Sequence, residues 1–159
     1  MAYESKYMKM AARVADEGIT GGFGGPFGCV IVKDGEVIAS THNTVVNDND
    51  PTAHGEVNAI RMACKKLGTF NLEGCELYTT SEPCPMCLGA IMWARIHKVY
   101  SAMNIADAKR IGFDDEPFYK AMTAYAKGEA TPLLDMEFQR DTDCETLFNK
   151  YDQMDKVRY

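Results

Sequence analysis

The sequence predicts an α/β fold of one domain, with a central mixed β-sheet and helices on its faces. Three observations support this prediction. The chain has 159 residues, which is close to the length of one domain. Some segments carry apolar residues at helical spacing, whereas others are short apolar runs typical of buried strands. Segments of the two kinds alternate along the chain, as expected for a sheet covered by helices.

The first half of the chain predicts a helix, a β-hairpin and a second helix. A glycine-rich segment at 21–25 must end the first helix. Asp34-Gly35 lies between two strand-like runs and is typical of a tight hairpin turn. Gly68 is placed to end the helix that follows a polar loop at 43–52. The predicted elements are a helix at 7–19, strands at 27–33 and 36–41, and a helix at 53–67.

The second half continues the alternation up to the last residues. Pro83 separates a short strand from an apolar helix. Met86, Met92 and Trp93 lie on that helix, and we expect them to fill the core. The predicted elements are strands at 75–80, 97–102 and 133–138, and helices at 85–94, 105–111, 116–126 and 142–156.

Composition and charge exclude several classes of protein. The formal net charge of −6 disfavours non-specific binding to nucleic acid. The longest apolar stretches, at 27–32 and 88–94, are far shorter than the ~20 residues of a membrane span. The N-terminal residues contain no apolar run typical of a secretory signal, so we expect a cytoplasmic protein. In that compartment the six cysteines predict metal binding or burial rather than disulfides.

Two short motifs predict a zinc site. His54-x-Glu56 opens one predicted helix, and thirty positions later Pro83-Cys84-x-x-Cys87 opens another. A Cys-x-x-Cys pair at a helix start directs two sulfurs toward one point, and the helix dipole there favours thiolates. One imidazole and two thiolates suit zinc. His54, Cys84 and Cys87 are therefore the predicted ligands of one zinc ion per chain.

The number of ligands predicts catalysis. A catalytic zinc keeps one position for water, whereas a structural zinc has four protein ligands. Glu56 lies two residues from His54 and can accept a proton from that water and deliver it to a substrate. The alternative is a structural zinc site in a non-catalytic interaction module. Its fourth ligand would be His42, Cys64, Cys75 or His97.

These motifs resemble the signature of the cytidine deaminase-like superfamily of zinc deaminases. Three longer strings strengthen the resemblance: GPFG at 25–28, DPTAH at 50–54 and EPCPMCLGA at 82–90. Together with GFDD at 112–115 and the C-terminal tyrosine, they are similar to the bacterial guanine deaminase family. That second resemblance covers nearly the whole chain and is weak between about 121 and 150.

The resemblance implies a three-layer α/β/α fold and the hydrolytic deamination of guanine to xanthine and ammonia in purine catabolism or salvage. It implies that Glu56 is the catalytic proton shuttle. It also implies a homodimer of single-domain chains, 1–159, in which the C-terminal segment from about 113 to 159 is exchanged between subunits. The partners are then a purine base and a second copy of the chain, with no nucleic acid and no membrane.

Five further residues are candidates for substrate binding, and each has an alternative role. Asn43 offers a donor and an acceptor for a base edge, or serves the loop. Phe27 packs against the purine face or in the core. Asp115 accepts a hydrogen bond from the ring N–H of guanine, or caps the next helix. Asp114 has the same two possible roles, and the resemblance favours Asp115 for the substrate. The resemblance places Tyr159, otherwise a frayed end, in the partner's site. Gly55 stands where the family usually has alanine, and it can alter the substrate fit.

Two alternatives keep the zinc chemistry and change the substrate. One is a tRNA adenosine deaminase, and the other is a deaminase of cytosine or another small amino-heterocycle. An RNA substrate needs a basic surface. The residues after 138 instead mix both signs of charge, with an acidic excess: Arg140, Asp141, Asp143, Glu145, Lys150, Asp152, Asp155, Lys156 and Arg158.

Overall fold

A computed structural model of the chain describes residues 2–159 and contains seven helices and four strands. Every predicted helix is present, and a short helix, α2, also occurs in the predicted polar loop. In chain order the elements are α1 (Ser5–Thr20), β1 (Gly28–Lys33), β2 (Glu36–His42), α2 (Val45–Asp48), α3 (Gly55–Leu67), β3 (Cys75–Ser81), α4 (Pro85–Trp93), β4 (Lys98–Met103), α5 (Ile105–Arg110), α6 (Glu116–Ala126) and α7 (Thr142–Asp152).

The sheet is mixed, as the sequence predicts. Its strands lie in the order β2-β1-β3-β4, with β1 antiparallel to both neighbours and β3 parallel to β4. Asp34 and Gly35 connect β1 to β2 with φ angles of 50° and 78°. Two positive φ angles are the requirement of a type I′ turn, which matches the twist of the strands that it joins. The predicted hairpin is confirmed.

Helices cover both faces of the sheet, and β1 shows why. Alternate side chains of a strand point to opposite faces. Cys29 and Ile31 pack in a core cluster with residues of α3 and α4. Val30 and Val32 pack in a second cluster with residues of α1. The fold is therefore a three-layer α/β/α arrangement, and both core clusters confirm the predicted class.

Helix α1 lies unusually close to the sheet at Gly28. A Cβ atom added to Gly28 would be 2.0 Å from the backbone oxygen of Ala11 and 3.0 Å from the Cβ of Ala15. Ala11 is fully buried. Any larger residue at position 28 must push α1 away from the sheet, so the close approach requires glycine.

The C-terminal third differs from the prediction. None of residues 101–159 is buried in the chain. The predicted strand at 133–138 is wrong, because only an isolated bridge between Thr131 and Leu134 forms there. Helix α7 ends at Asp152, four residues before the predicted end. An apolar alternating segment becomes a strand only when another strand supplies its hydrogen bonds.

The expectation that α4 is apolar because it lies in the core is only partly correct. Cys87 and Ile91 are buried, whereas Met92 and Trp93 are 70% and 66% exposed and Met86 is exposed as well. One face of α4 therefore packs in the core and the other presents large apolar side chains. No helix among residues 2–159 has the length and apolar content of a membrane span.

Candidate active site

Two helix starts bring the predicted metal ligands together. His54 is the residue before α3, and Cys84 is the residue before α4. The Nδ1 atom of His54 lies 3.6 Å from the Sγ atom of Cys84 and 3.6 Å from that of Cys87. The three ligand atoms all lie within 4.8 Å of one another. Residues separated by thirty positions in sequence thus form one cluster.

This cluster fits zinc in chemistry and in size. Tetrahedral zinc with its usual bond lengths to nitrogen and sulfur separates those two ligand atoms by about 3.6 Å. That separation matches both observed distances between His54 and the cysteines. The group found among residues 2–159 contains His54, Cys84 and Cys87 alone. Four other residues considered as fourth ligands are not part of it: His42, Cys64, Cys75 and His97.

The charge balance of the cluster favours a thiolate at Cys84. The hydrogen bond from Cys87 and the interaction with His54 together lower the pKa of Cys84 to about 4, against the effect of burial. The same hydrogen bond, together with burial, raises the pKa of Cys87. The hydrogen bond with Cys84 raises the pKa of His54. A thiol with a low pKa is deprotonated at neutral pH, and the thiolate is the form that binds metal.

Glu56 lies beside this cluster in the first turn of α3 and is buried, with 5% of its surface exposed. The Thr79 hydroxyl donates a hydrogen bond of 2.7 Å to its Oε1 atom. The Cys87 thiol contacts its Oε2 atom at 3.4 Å. Burial raises the pKa of Glu56, and the hydrogen bond from Thr79 partly offsets that rise. A buried carboxyl with a raised pKa is suited to accepting and returning a proton.

A cavity of about 1170 Å³ opens above His54, Glu56 and Cys84. Its walls come from two parts of the chain. One part supplies the metal-site residues together with Phe27 and Asn43, and the other is the segment from Ala108 to Met136. The cavity is large enough for a purine base. Within residues 2–159, four predicted substrate-binding residues occupy or adjoin this region: Phe27, Asn43, Gly55 and Asp115.

Asp115 carries a polar atom that the fold leaves without a partner. Its Oδ1 atom is buried and has no hydrogen-bond partner among the described residues. Asp115 precedes α6 but its side chain makes no capping hydrogen bond. Asp114 instead accepts a hydrogen bond from the Glu116 N–H at 3.2 Å and pairs with Lys109. Burial raises the pKa of Asp115. An orphaned carboxylate oxygen in a cavity requires an explanation, and a ligand donor supplies one.

Phe27 and Asn43 form the side of the cavity near β1 and β2. The Phe27 ring contacts the Phe113 ring edge-to-face, with centroids 4.9 Å apart. The Oδ1 atom of Asn43 accepts a hydrogen bond from the Val45 N–H, which fixes the amide of a buried side chain. Phe113 had no predicted role, and its position opposite Phe27 could not be inferred from spacing.

Gly55 and Tyr159 have contrasting positions. Gly55 is buried at the start of α3, and an added Cβ would lie 3.2 Å from the backbone oxygen of Phe27.

Tyr159 lies outside the cavity of its own chain. Its ring contacts those of Trp93 and Phe70, with centroids 5.8 Å and 6.1 Å apart. The role of Tyr159 in a partner's site therefore stays a prediction.

Two residues that hold the site are not predicted by the sequence. Thr79 contacts Glu56 from the middle of β3, and no spacing rule indicates a contact between positions 56 and 79. Tyr119 of α6 donates a hydrogen bond from its hydroxyl to the backbone oxygen of Pro83, next to Cys84. Burial raises the pKa of Tyr119 to about 12, which keeps the hydroxyl protonated as a donor.

Comparison with known proteins relates both the motifs and the fold to zinc deaminases. The family model for the cytidine and deoxycytidylate deaminase zinc-binding region matches residues 1–103. The guanine deaminase of Bacillus subtilis is 53% identical over 127 residues, which are 80% of this chain and 81% of that protein. The tRNA-specific adenosine deaminase of Aquifex aeolicus is 48% identical over 62% of this chain and 65% of that protein.

Comparison with solved structures also relates the chain to deaminases. The crystal structure of guanine deaminase from Bacillus subtilis has a TM-score of 0.90 and 44% identity, and the match covers 99% of both chains. A guanine deaminase from Nitrosomonas europaea has a TM-score of 0.68 and 32% identity, over 72% of this chain and 66% of that one. The chain belongs to the cytidine and deoxycytidylate deaminase family of zinc-dependent enzymes, in the group that contains the bacterial guanine deaminases.

Proposed function

We propose that this protein is a zinc-dependent guanine deaminase, which converts guanine and water to xanthine and ammonia. The observation that carries the proposal is the extent of the match. The guanine deaminase structure covers 99% of the chain, whereas a tRNA adenosine-34 deaminase structure covers 63%. Residues 108–136 line one wall of the cavity and lie beyond the family model, which ends at 103. The match to the guanine deaminase structure thus includes the segment that forms this wall, which supports guanine as the substrate.

His54, Cys84 and Cys87 are the residues that hold the zinc ion in this proposal. A zinc ion held by these three residues would lower the pKa of a bound water molecule to about 7. The chain contributes the geometry, because two helix starts place an imidazole nitrogen and two sulfurs at tetrahedral separations. The N-terminus of α4 also favours the thiolate of Cys84, whose pKa is lowered to about 4.

Glu56 is the proton shuttle. Its carboxylate accepts a proton from water, delivers it to the ring nitrogen beside the amino-bearing carbon, and assists the departure of ammonia. Burial supports this role, because a raised pKa makes the carboxylate a better base near neutral pH. Its place beside Cys87 keeps it within reach of the reacting carbon.

Three residues bind the base. Asp115 accepts a hydrogen bond from the ring N–H of guanine, since its buried Oδ1 atom has no partner in the chain. Asn43 presents its amide to another edge of the base, and its Oδ1 atom is already fixed by Val45. Phe27 packs against the purine face and is itself held by Phe113. Gly55 leaves space at the start of α3, where a side chain would contact Phe27.

The active form is a homodimer in which the C-terminal segment, expected from about 113 to 159, is exchanged. Because residues 108–136 line the cavity of their own chain, the part that reaches the partner's site in this proposal is the end of that segment, with Tyr159. Two observations support this exchange. Residues 101–159 contain no buried residue, although they include large exposed side chains such as Phe138 and Phe148. Apolar surface of this extent is typical of a chain that packs against a partner. Tyr159 lies outside the cavity of its own chain, as expected if it closes the site of the other subunit.

A mixing experiment tests the exchanged segment. One variant carries Glu56→Gln, and the other lacks Arg158 and Tyr159. Each homodimer is expected to be inactive, while a hybrid has one site with an intact Glu56 and an intact tail from its partner. Co-refolding gives hybrids as half of the dimers, so about a quarter of the wild-type activity returns. If the tail acts in its own chain, mixing restores nothing.

The substrate is tested by ultraviolet absorbance and ammonia release with the zinc-loaded protein. Guanine is compared with adenine, cytosine, cytidine and an adenosine-34 tRNA stem-loop. Turnover of guanine supports the proposal and a role in purine catabolism or salvage. Turnover of the stem-loop alone, or of cytosine alone, would replace it with one of the alternative deaminases. A cytoplasmic location stays a prediction.

A further inference from the structure

Thr79 lies at the centre of the sheet and faces the active site. It is 1% exposed, in the middle of β3 between β1 and β4. Alternation along β3 places Thr79 on the same face as Leu77, which packs in the core cluster with α3. Its hydroxyl therefore points toward the helix that carries Glu56. A buried hydroxyl needs a hydrogen-bond partner, and here the partner is a side chain of α3.

The hydroxyl of Thr79 has one hydrogen and two acceptors within reach. The Oε1 atom of Glu56 is 2.7 Å away, and the backbone oxygen of Ser81 is 3.1 Å away. A hydroxyl donates one hydrogen bond at a time. The shorter distance and the negative charge of the carboxylate favour donation to Glu56. The backbone oxygen of Ser81 is then the alternative acceptor, at the longer distance.

The two oxygens of Glu56 consequently have different environments. Oε1 is engaged by Thr79 on the side of the sheet. Oε2 is next to the Sγ atom of Cys87, on the side of the metal ligands. A carboxylate held through one oxygen cannot rotate freely about its last bond. The other oxygen, Oε2, is then fixed on the side of Cys87, in a residue that lines the cavity.

We propose that Thr79 is a positioning residue, whose hydroxyl fixes the orientation of the Glu56 carboxylate so that Oε2 faces the reacting base and water. The inference deepens the proposed deaminase function and rests on it for its kinetic test. Thr79 touches no substrate and acts through Glu56 alone. A group that transfers protons must be held within a fraction of an ångström of its productive place, because a 1 Å displacement costs about a hundredfold in rate.

The kinetic test compares two substitutions of Thr79 with a matched control. Thr79→Val keeps the branched shape that suits a strand and removes the hydroxyl. We expect kcat for guanine to fall about a hundredfold, while KM changes less than about threefold. Thr79→Ser keeps the hydroxyl and is expected to return kcat to within about fivefold of wild type.

Thr80→Val is the matched control. Thr80 is the adjacent residue of β3, and its hydroxyl oxygen accepts a hydrogen bond from the Gly28 N–H at 3.1 Å, away from Glu56. The same chemical change there is expected to lower the unfolding temperature and to leave kcat within about twofold of wild type. Equal loss of kcat in Thr80→Val and Thr79→Val would overturn the proposal, as would wild-type kcat in Thr79→Val.

A structural measurement separates this inference from the proposed function. Crystal structures of wild type and Thr79→Val, each with measured zinc content, should show a rotated or disordered Glu56 carboxylate in the variant only. An unchanged Glu56 would overturn the role of Thr79 even if guanine is turned over. Failure of the wild type to deaminate guanine would remove the proposed function and leave this measurement valid. If Thr79→Val does not fold, Thr79→Ala against Thr79→Ser provides the same comparison.

Discussion

Replacement of Asp115 by asparagine separates substrate recognition from stability, because the two should change in opposite directions. The substitution keeps the shape of the side chain and removes its charge. Asp115 has a buried Oδ1 atom without a partner, and burial raises its pKa. In the free enzyme the Oδ1 atom is therefore shielded from water and has no hydrogen-bond partner. In the proposed complex with guanine, Asp115 accepts a hydrogen bond from the base.

The expected loss of activity follows from the strength of that hydrogen bond. A hydrogen bond to a charged group contributes about 1.5–3 kcal/mol, and 1.4 kcal/mol corresponds to about tenfold. Asp115→Asn should therefore lower kcat/KM for guanine by about ten- to a hundredfold. The amide presents either a weaker acceptor or a donor that opposes the donor on the base. Steady-state absorbance assays of wild type and variant measure the ratio directly.

The same substitution should increase the free energy of unfolding at pH values where Asp115 of the wild type is ionised. The raised pKa means that folded Asp115 binds its proton up to a higher pH than the unfolded chain does. Stability therefore decreases as the pH rises from the ordinary aspartate pKa through the raised value, and it remains lower above that range. Asparagine does not titrate, so the variant should lack this decrease. Thermal unfolding of both proteins across the acidic pH range provides the comparison.

Asp114→Asn is the control for position and charge. Asp114 accepts from the Glu116 N–H and pairs with Lys109 at 3.6 Å on the surface. Its substitution should reduce kcat/KM less than about threefold, because exposed ion pairs contribute little. The reasoning fails if Asp115→Asn retains wild-type kcat/KM, or if both variants lose activity equally.

Three further predictions concern the metal site and its supports. Glu56→Gln should retain zinc and lose about 10²- to 10⁴-fold in kcat, as measured by metal analysis and turnover, since an amide cannot shuttle a proton. Chelation of zinc should lower the unfolding temperature and abolish activity, with recovery on adding zinc, and Cys84→Ser should show weak metal binding from the start. Tyr119→Phe should destabilise the protein by about 0.5–1.5 kcal/mol in urea unfolding, through loss of the hydrogen bond to Pro83. An unchanged unfolding midpoint would contradict that contribution.

Local signals in the sequence predict the first hundred residues well. The hairpin at Asp34 and Gly35 depends on two neighbouring residues, and the metal ligands depend on two short motifs at helix starts. In each case the chemistry of a few adjacent residues decides the structure. Hydrogen-bonded turns and helix N-termini are features of this kind.

Long-range contacts account for what the sequence does not predict. The strand expected at 133–138 has the apolar composition of a strand but finds no partner in the chain. Met92 and Trp93 have the composition of a core and lie exposed on the outer face of α4. The contact of Thr79 with Glu56 depends on how α3 docks on the sheet. None of these outcomes is encoded within a window of neighbouring residues.

The walls of the cavity come from two separate stretches of the chain, so the substrate specificity can change independently of the metal site. The ligands and Glu56 lie between positions 54 and 87, whereas residues from Ala108 to Met136 form the opposite wall. A lineage can therefore acquire a new specificity by insertion, recombination or drift in its last fifty residues while the reaction chemistry stays intact. Chimaeras that join residues 1–103 to the corresponding downstream segment of another deaminase should shift in substrate preference toward the downstream donor, while Phe27 and Asn43 keep their contribution.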